Sequence, residues 1–162
     1  MAFTTHLLVV ANRTVDSPEL IDALRERARR GPVSVTLLAP TAWSERGEAE
    51  QRLASAVATL AAGDIRAQGV LADADPMVAV QEAWNPGLYD EVVVSTLTEG
   101  SSRWLQIDLP HRVARLTDCQ VRHVAVPVRQ IEQRAPQPPP PRRSKLESAL
   151  SLMRSGTRSR TA

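Results

Sequence analysis

"DEVVVSTLTEGSSRW", residues 90–104, decides the fold. Three consecutive valines, Val92, Val93 and Val94, are too short a run for a helix. They are β-branched and apolar with no alternation, the pattern of a strand buried on both faces. Hydroxyls, one glycine and an arginine follow at once, so the strand opens into a polar loop. Ligand loops of parallel α/β sheets lie in that place.

Working outward, the same grammar repeats. "HLLVVAN" (residues 6–12) is a second apolar run ending in polar residues. "DSPELIDALRERARRG" then predicts a helix with Ser17 as cap, Pro18 at the first helical position and Glu19 in the first turn. Leu20, Leu24 and Ala28 share its apolar face, and Gly31 with Pro32 stops it. "VSVTLLAP" (33–40) predicts the second strand. A helix is expected over 45–62, with Leu53, Ala56, Val57 and Leu60 as its stripe and Gly63 ending it. "IRAQGVLA" (65–72) is read as the third strand. Asp75 and Pro76 cap a helix with Met77, Val80 and Trp84 on one face, closed by "NPG" at 85–87.

After the opening stretch, Pro110 excludes an uninterrupted helix. The expectation is a short helical turn over 103–106 and a new start near Asp108, with Leu109, Val113 and Leu116 facing inward. "VRHVAVP" (121–127) closes the chain of elements as a fifth strand. Strands alternating with helices require right-handed crossovers and a parallel sheet. The predicted fold class is α/β, a three-layer sandwich around a five-stranded parallel sheet.

Composition narrows the function classes. Aromatic residues make up only 3% of the chain, so Val, Leu and Ala must build the core. Residues 1–128 carry twelve basic and sixteen acidic side chains, net −4, and the remainder eight and two, net +6. The folded part is therefore mildly acidic, and specific nucleic-acid binding is not expected of it. The single cysteine, Cys119, excludes an intrachain disulfide and is expected to be a small buried side chain. No apolar run approaches the roughly 20 residues that span a bilayer, and "LLVVA" is too short for a signal-peptide core. A cytoplasmic protein without membrane contact is expected.

Three segments follow: an α/β domain over 1–127, a proline-rich linker over 128–143, and a basic tail over 144–162. "APQPPPPRRS" reads as an extended, stiff spacer. Beyond it Leu146, Leu150 and Met153 fall on one face of a short amphipathic helix, too short to be stable alone in water. The chain's end is expected to be disordered, and the apolar face leaves room for a protein partner of the tail.

By the fourth strand the order of pieces resembles the universal stress protein family. "DADPMVAVQEAWNPGLYDEVVVS" and "GSSRWLQIDLPHRVARLTDCQVRHVAV" follow the family's layout of acidic residue, helix, strand, glycine-containing loop, helix and closing strand. The resemblance covers residues 6–126. It implies a sheet of order 3-2-1-4-5, as in adenine nucleotide alpha hydrolase-like folds, a homodimer in many members, and ATP binding in some. The nucleotide binders carry Gly-x-x-Gly-x9-Gly-(Ser/Thr) after the fourth strand. Here Val94, Leu97, Ile107 and Asp108 stand at those positions. None offers what glycine does, which is positive φ and close backbone approach to an anion. Asp108 would also place a carboxylate at a helix N-terminus, where a phosphate would otherwise sit. No cofactor is expected, and ATP or AMP is the nucleotide that the resemblance would suggest.

The location of a site remains defined by topology. The order 3-2-1-4-5 reverses between strands one and four, so the loop with Asn12, Arg13 and Thr14 should face the loop from Ser95 through Gly100, Ser101, Ser102 and Arg103. These eight residues are the ligand-binding candidates, with the arginines and hydroxyls suited to a phosphate or carboxylate. Structural readings compete with each. Ser101 and Ser102 serve equally as a helix cap, Arg103 as a partner of Glu99 or Asp108, and Asn12 as a brace for its own turn. His6, His111 and His123 have no metal spacing, and "STLTEGSS" lacks a nucleophile elbow, so no catalytic or metal residues are expected. Trp84 is read as core, and Trp104 as core or dimer surface. Three functions stay open: a stress-associated regulator without catalysis, a small-anion or nucleotide sensor, and a dimeric adaptor whose tail docks a partner.

Overall fold

The computed structural model describes residues 3–98, 104 and 107–128. Five parallel strands form one sheet in the order β3-β2-β1-β4-β5: β1 Thr5–Val10, β2 Val33–Pro40, β3 Arg66–Ala72, β4 Glu91–Leu97 and β5 Val121–Val126. Between them lie α1 Pro18–Arg29, α2 Arg46–Ala61, α3 Pro76–Ala83 and α4 Leu109–Thr117. The α/β class and strand order expected from sequence are those observed. The linker and tail beyond Val128, and the predicted helical turn at 103–106 apart from Trp104, lie outside the described residues.

Strand parity divides the core. Leu7 and Val9 of β1 and Ala11 just beyond it join Val35, Leu37 and Val93 beneath α1 and α2, with Leu20, Leu24, Leu53, Ala56 and Leu60 completing that layer. Leu8 and Val10 join Leu38, Val92 and Val94 on the opposite face, covered by Ala79 and Val80 of α3 and by Leu109 and Val113 of α4. Since successive side chains point to opposite faces, an unbroken apolar run is what a sheet with helices on both sides requires.

Local chemistry sets the helix ends. Ser17 Oγ accepts from the Leu20 amide at 3.3 Å, with Pro18 in the first turn. Asp75 Oδ1 accepts from the Met77 and Val78 amides at 2.8 and 3.4 Å. Pro110 sits in the first turn of α4, where no intrahelical partner for its nitrogen is needed. The second helix differs slightly from expectation. A 3-10 turn over Trp43–Glu45 precedes it, and regular helix begins at Arg46.

Two inward assignments need correction. Leu116 is 38% exposed, and Thr117 is buried in its stead, so the seam follows Leu109, Val113 and Thr117 along one i, i+4 row. Burial of Thr117 costs little because its hydroxyl donates to the Val113 carbonyl at 2.9 Å. Cys119 is half-buried rather than core, its thiol 3.3 Å from Thr117 Oγ1. Trp84 is also half-buried, at the end of α3, stacked on Tyr89 with ring centroids 6.2 Å apart. Trp104 is half-buried against the α3–α4 core.

Glycine has one packing role worth testing. A Cβ built on Gly69 of β3 would lie 3.1 Å from Leu53 Cβ, an atom that moves only with the backbone of α2. Gly69→Val is expected to destabilise by about 1–2 kcal/mol, overpacking outweighing the better strand propensity of valine. A urea midpoint equal to or above that of the parent protein would refute the close α2–β3 contact.

Candidate functional site

The carboxyl ends of β1 and β4 meet where the winding of the sheet reverses, the place at which open α/β sheets build ligand crevices. Beyond β1 the chain makes two consecutive turns. The Val15 amide donates to the Asn12 carbonyl at 3.2 Å, and the Ser17 amide to the Thr14 carbonyl at 3.1 Å. This double turn tucks Thr14 under the loop, 2% exposed, and leaves Arg13 on the surface.

Thr14 and Ser95 come together as topology requires. The Thr14 hydroxyl donates to the Ser95 carbonyl at 3.3 Å, tying the first loop to the end of β4. Ser95 is 1% exposed, and its Oγ is buried with no hydrogen-bond partner among the described residues. An unsatisfied buried hydroxyl costs about 1–3 kcal/mol and asks for an explanation. Gly100, Ser101, Ser102 and Arg103 lie outside the described residues.

Asn12 does not brace its own turn through its side chain. Its Oδ1 accepts from Arg52 Nη2 at 3.3 Å, so backbone bonds close the turn and the amide is turned toward α2. Arg52 was absent from the residues singled out by sequence. It also contacts Glu48 at 3.5 Å, and its Nε is buried with no partner among the described residues. The sequence signal was faint: Arg52 precedes Leu53, an apolar stripe residue, and only the approach of α2 to the β1 loop brings its guanidinium over Asn12.

On β4, Val94 is fully buried in the α3–α4 core and Leu97 is buried at the end of the strand. Asp108 precedes α4 in the left-handed region, φ 51°, a conformation that Asp tolerates better than most residues. Its carboxylate makes no capping bond and lies 3.9 Å from His111 Nδ1. His123 Nε2 is 2.7 Å from Thr96 Oγ1 on the neighbouring strand. Among the described residues no three His, Cys, Asp or Glu side chains gather as a metal site would need, and no helix is long and apolar enough to cross a membrane.

A doubly wound parallel sheet of this order is the fold of the universal stress proteins. The structure of a universal stress protein from Archaeoglobus fulgidus aligns with TM-score 0.51 and 19% identity, over 74% of this chain and 93% of that one. The universal stress protein from Archaeoglobus fulgidus in complex with dAMP aligns with TM-score 0.48 and 16% identity, over 77% and 98%. No protein-family profile and no curated protein matches the sequence.

Proposed function

We propose that the chain is a regulatory, stress-associated domain of the universal stress kind, without catalysis, whose crevice does not take ATP in the family's usual way. The observation that carries this reading is the start of α4. A phosphate held by a helix N-terminus needs bare amides and no competing anion, and Asp108 places a carboxylate there. Val94 and Leu97, buried apolar side chains, support the same reading, because they offer neither glycine's backbone freedom nor its close approach. The test is thermal unfolding with magnesium-ATP up to millimolar concentration. Ligand at 100 times its dissociation constant would stabilise by about 2.7 kcal/mol, so the expected result is no saturable shift, and a saturable one overturns the reading.

A second reading has its own observation. Ser95 Oγ and Arg52 Nε are both buried without partners among the described residues, and their residues meet one turn two positions apart, the Ser95 carbonyl accepting from Thr14 Oγ1 and Arg52 Nη2 donating to Asn12 Oδ1. A small anion or nucleotide monophosphate would supply acceptors to both. Phosphate and AMP in the same screen test it, and a shift that disappears in Arg52→Met establishes the sensor. Absence of any shift eliminates it.

A further inference from the structure

Trp43 is 84% exposed in the 3-10 turn after β2, an unusual place for the largest apolar side chain. Arg46 lies over its ring, 5.2 Å from the centroid, which orders the indole. The surroundings are acidic. Glu45, Glu48 and Glu50 are exposed on the turn and the first turns of α2. The Thr41 amide donates to the Ala72 carbonyl at 3.3 Å, tying this loop to the end of β3, beyond which Asp73 and Asp75 are exposed. Glu45, Glu48 and Glu50, within seven residues of the presented indole, thus outnumber the guanidinium groups of Arg46 and Arg52 along the turn and the start of α2.

The chain carries a segment of matching chemistry. Residues 136–143, "PQPPPPRR", combine prolines that pre-order an extended left-handed helix with two adjacent arginines. Proline-rich helices dock on exposed aromatic rings because little conformational entropy is lost, and flanking carboxylates orient the arginines. Reach is adequate. All strands are parallel, so β5 delivers the chain at the same end of the sheet as β2 delivers Trp43. Three strand spacings separate them, about 14 Å. Residues 129–135 cover about 22 Å when extended.

We propose that residues 136–143 dock in cis on Trp43, their prolines against the indole and Arg142 and Arg143 toward the acidic rim of Glu45, Glu48 and Glu50. Tethering at this length gives an effective concentration in the millimolar range, so a weak contact suffices. The contact is electrostatically assisted and therefore sensitive to salt.

Nitrogen-15 correlation spectra of the full-length protein test this through the Trp43 indole N–H, assigned by its loss in Trp43→Phe. Expected is a shift of that peak, relative to the parent protein, in Arg142→Glu/Arg143→Glu and in the variant with Pro138, Pro139, Pro140 and Pro141 all replaced by Ala. The same displacement should appear in the parent protein at about 1 M sodium chloride, where the Debye length is ~3 Å. A peak unchanged in both tail variants overturns the proposal. A displacement that depends on protein concentration assigns the contact to a second copy and overturns docking in cis. The unfolding midpoint of both tail variants is expected to stay at the parent value, which separates loss of docking from loss of fold.

Discussion

Replacing Leu8 by alanine is expected to remove about 3–5 kcal/mol of stability, the range for a fully buried leucine whose surroundings relax only in part. Leu8 is fully buried in the middle of β1, paired with Thr36 of β2 and Val92 of β4. Its side chain packs into the cluster of Val10, Leu38, Val80, Val94, Leu109 and Val113, so both covering helices lose contacts at once. Domains of this size are stable by only about 5–15 kcal/mol, and the variant should melt about 10–20 °C lower. Urea unfolding is the direct measurement: the midpoint should fall while the slope stays constant. Val70 provides the contrast, being 41% exposed on edge strand β3, where truncation to alanine should cost less than about 0.5 kcal/mol. Equal losses at the two positions would contradict a core on the α3–α4 face.

The second large effect is expected at the opposite end of the sheet. Arg27, in the last turn of α1, holds Glu91 at the start of β4 with Nε 3.2 and 3.1 Å from Oε1 and Oε2 and Nη2 2.6 Å from Oε1. Nη2 also donates to Thr5 Oγ1 at 3.1 Å, so one guanidinium ties α1, β4 and β1 together. Next to it, Asp90 accepts from the His6 amide at 2.8 Å and returns its own amide to the His6 carbonyl at 2.9 Å. The Glu91 hydrogen bond, then the charges of Glu91 and Asp90, raise the pKa of Arg27 against an opposing effect of burial.

A raised arginine pKa means that its contribution is fully present below the unfolded value and is lost only as pH rises through the folded one. Titration of Arg27 therefore leaves the clamp intact from neutral to strongly alkaline pH. Arg27→Met is expected to cost about 2 kcal/mol, since it retains the stem and strands Glu91, whose side chain is 35% exposed and so partly recovered by water. Arg27→Lys should recover only part, because an ammonium cannot reproduce the fork. Complete recovery by lysine would reduce the clamp to a simple charge contact. A variant as stable as the parent would remove it from the fold's energetics altogether.

Much of the architecture was legible because it is written in local patterns. The runs around Leu7–Leu8 and Val92–Val94 each signal burial on two faces. Ser17 with Pro18, and Asp75 with Pro76, mark helix starts through hydrogen bonds that span two or three residues. Leu116 shows where this reading fails. Leucine at i+7 from Leu109 fits an apolar stripe as well as Thr117 at i+8 does, and only the lie of a nine-residue helix on the sheet chooses between them. The threonine can be buried because its hydroxyl is satisfied within its own helix.

The candidate site was legible in its place and much less so in its chemistry. Asn12, Thr14 and Ser95 follow from topology, since strand order alone brings the ends of β1 and β4 together. The Thr14–Ser95 bond spans 81 positions, and the Arg52–Asn12 bond spans 40. No spacing rule reaches that far. Trp43 likewise reads in sequence as one apolar residue before a helix, and its exposure depends on the 3-10 turn that lifts it clear of the sheet.

By itself the sequence determined the class of fold, the order of its elements and the end of the sheet at which the loops after β1 and β4 lie, because periodicity, capping and chain connectivity are short-range properties. Tertiary structure alone decided which side chains meet there. Arg52 leans on Asn12, Thr14 closes on Ser95, and Arg27 reaches Glu91, each through a contact between elements distant in the chain, and the energy of such a contact depends on distances that no local pattern encodes.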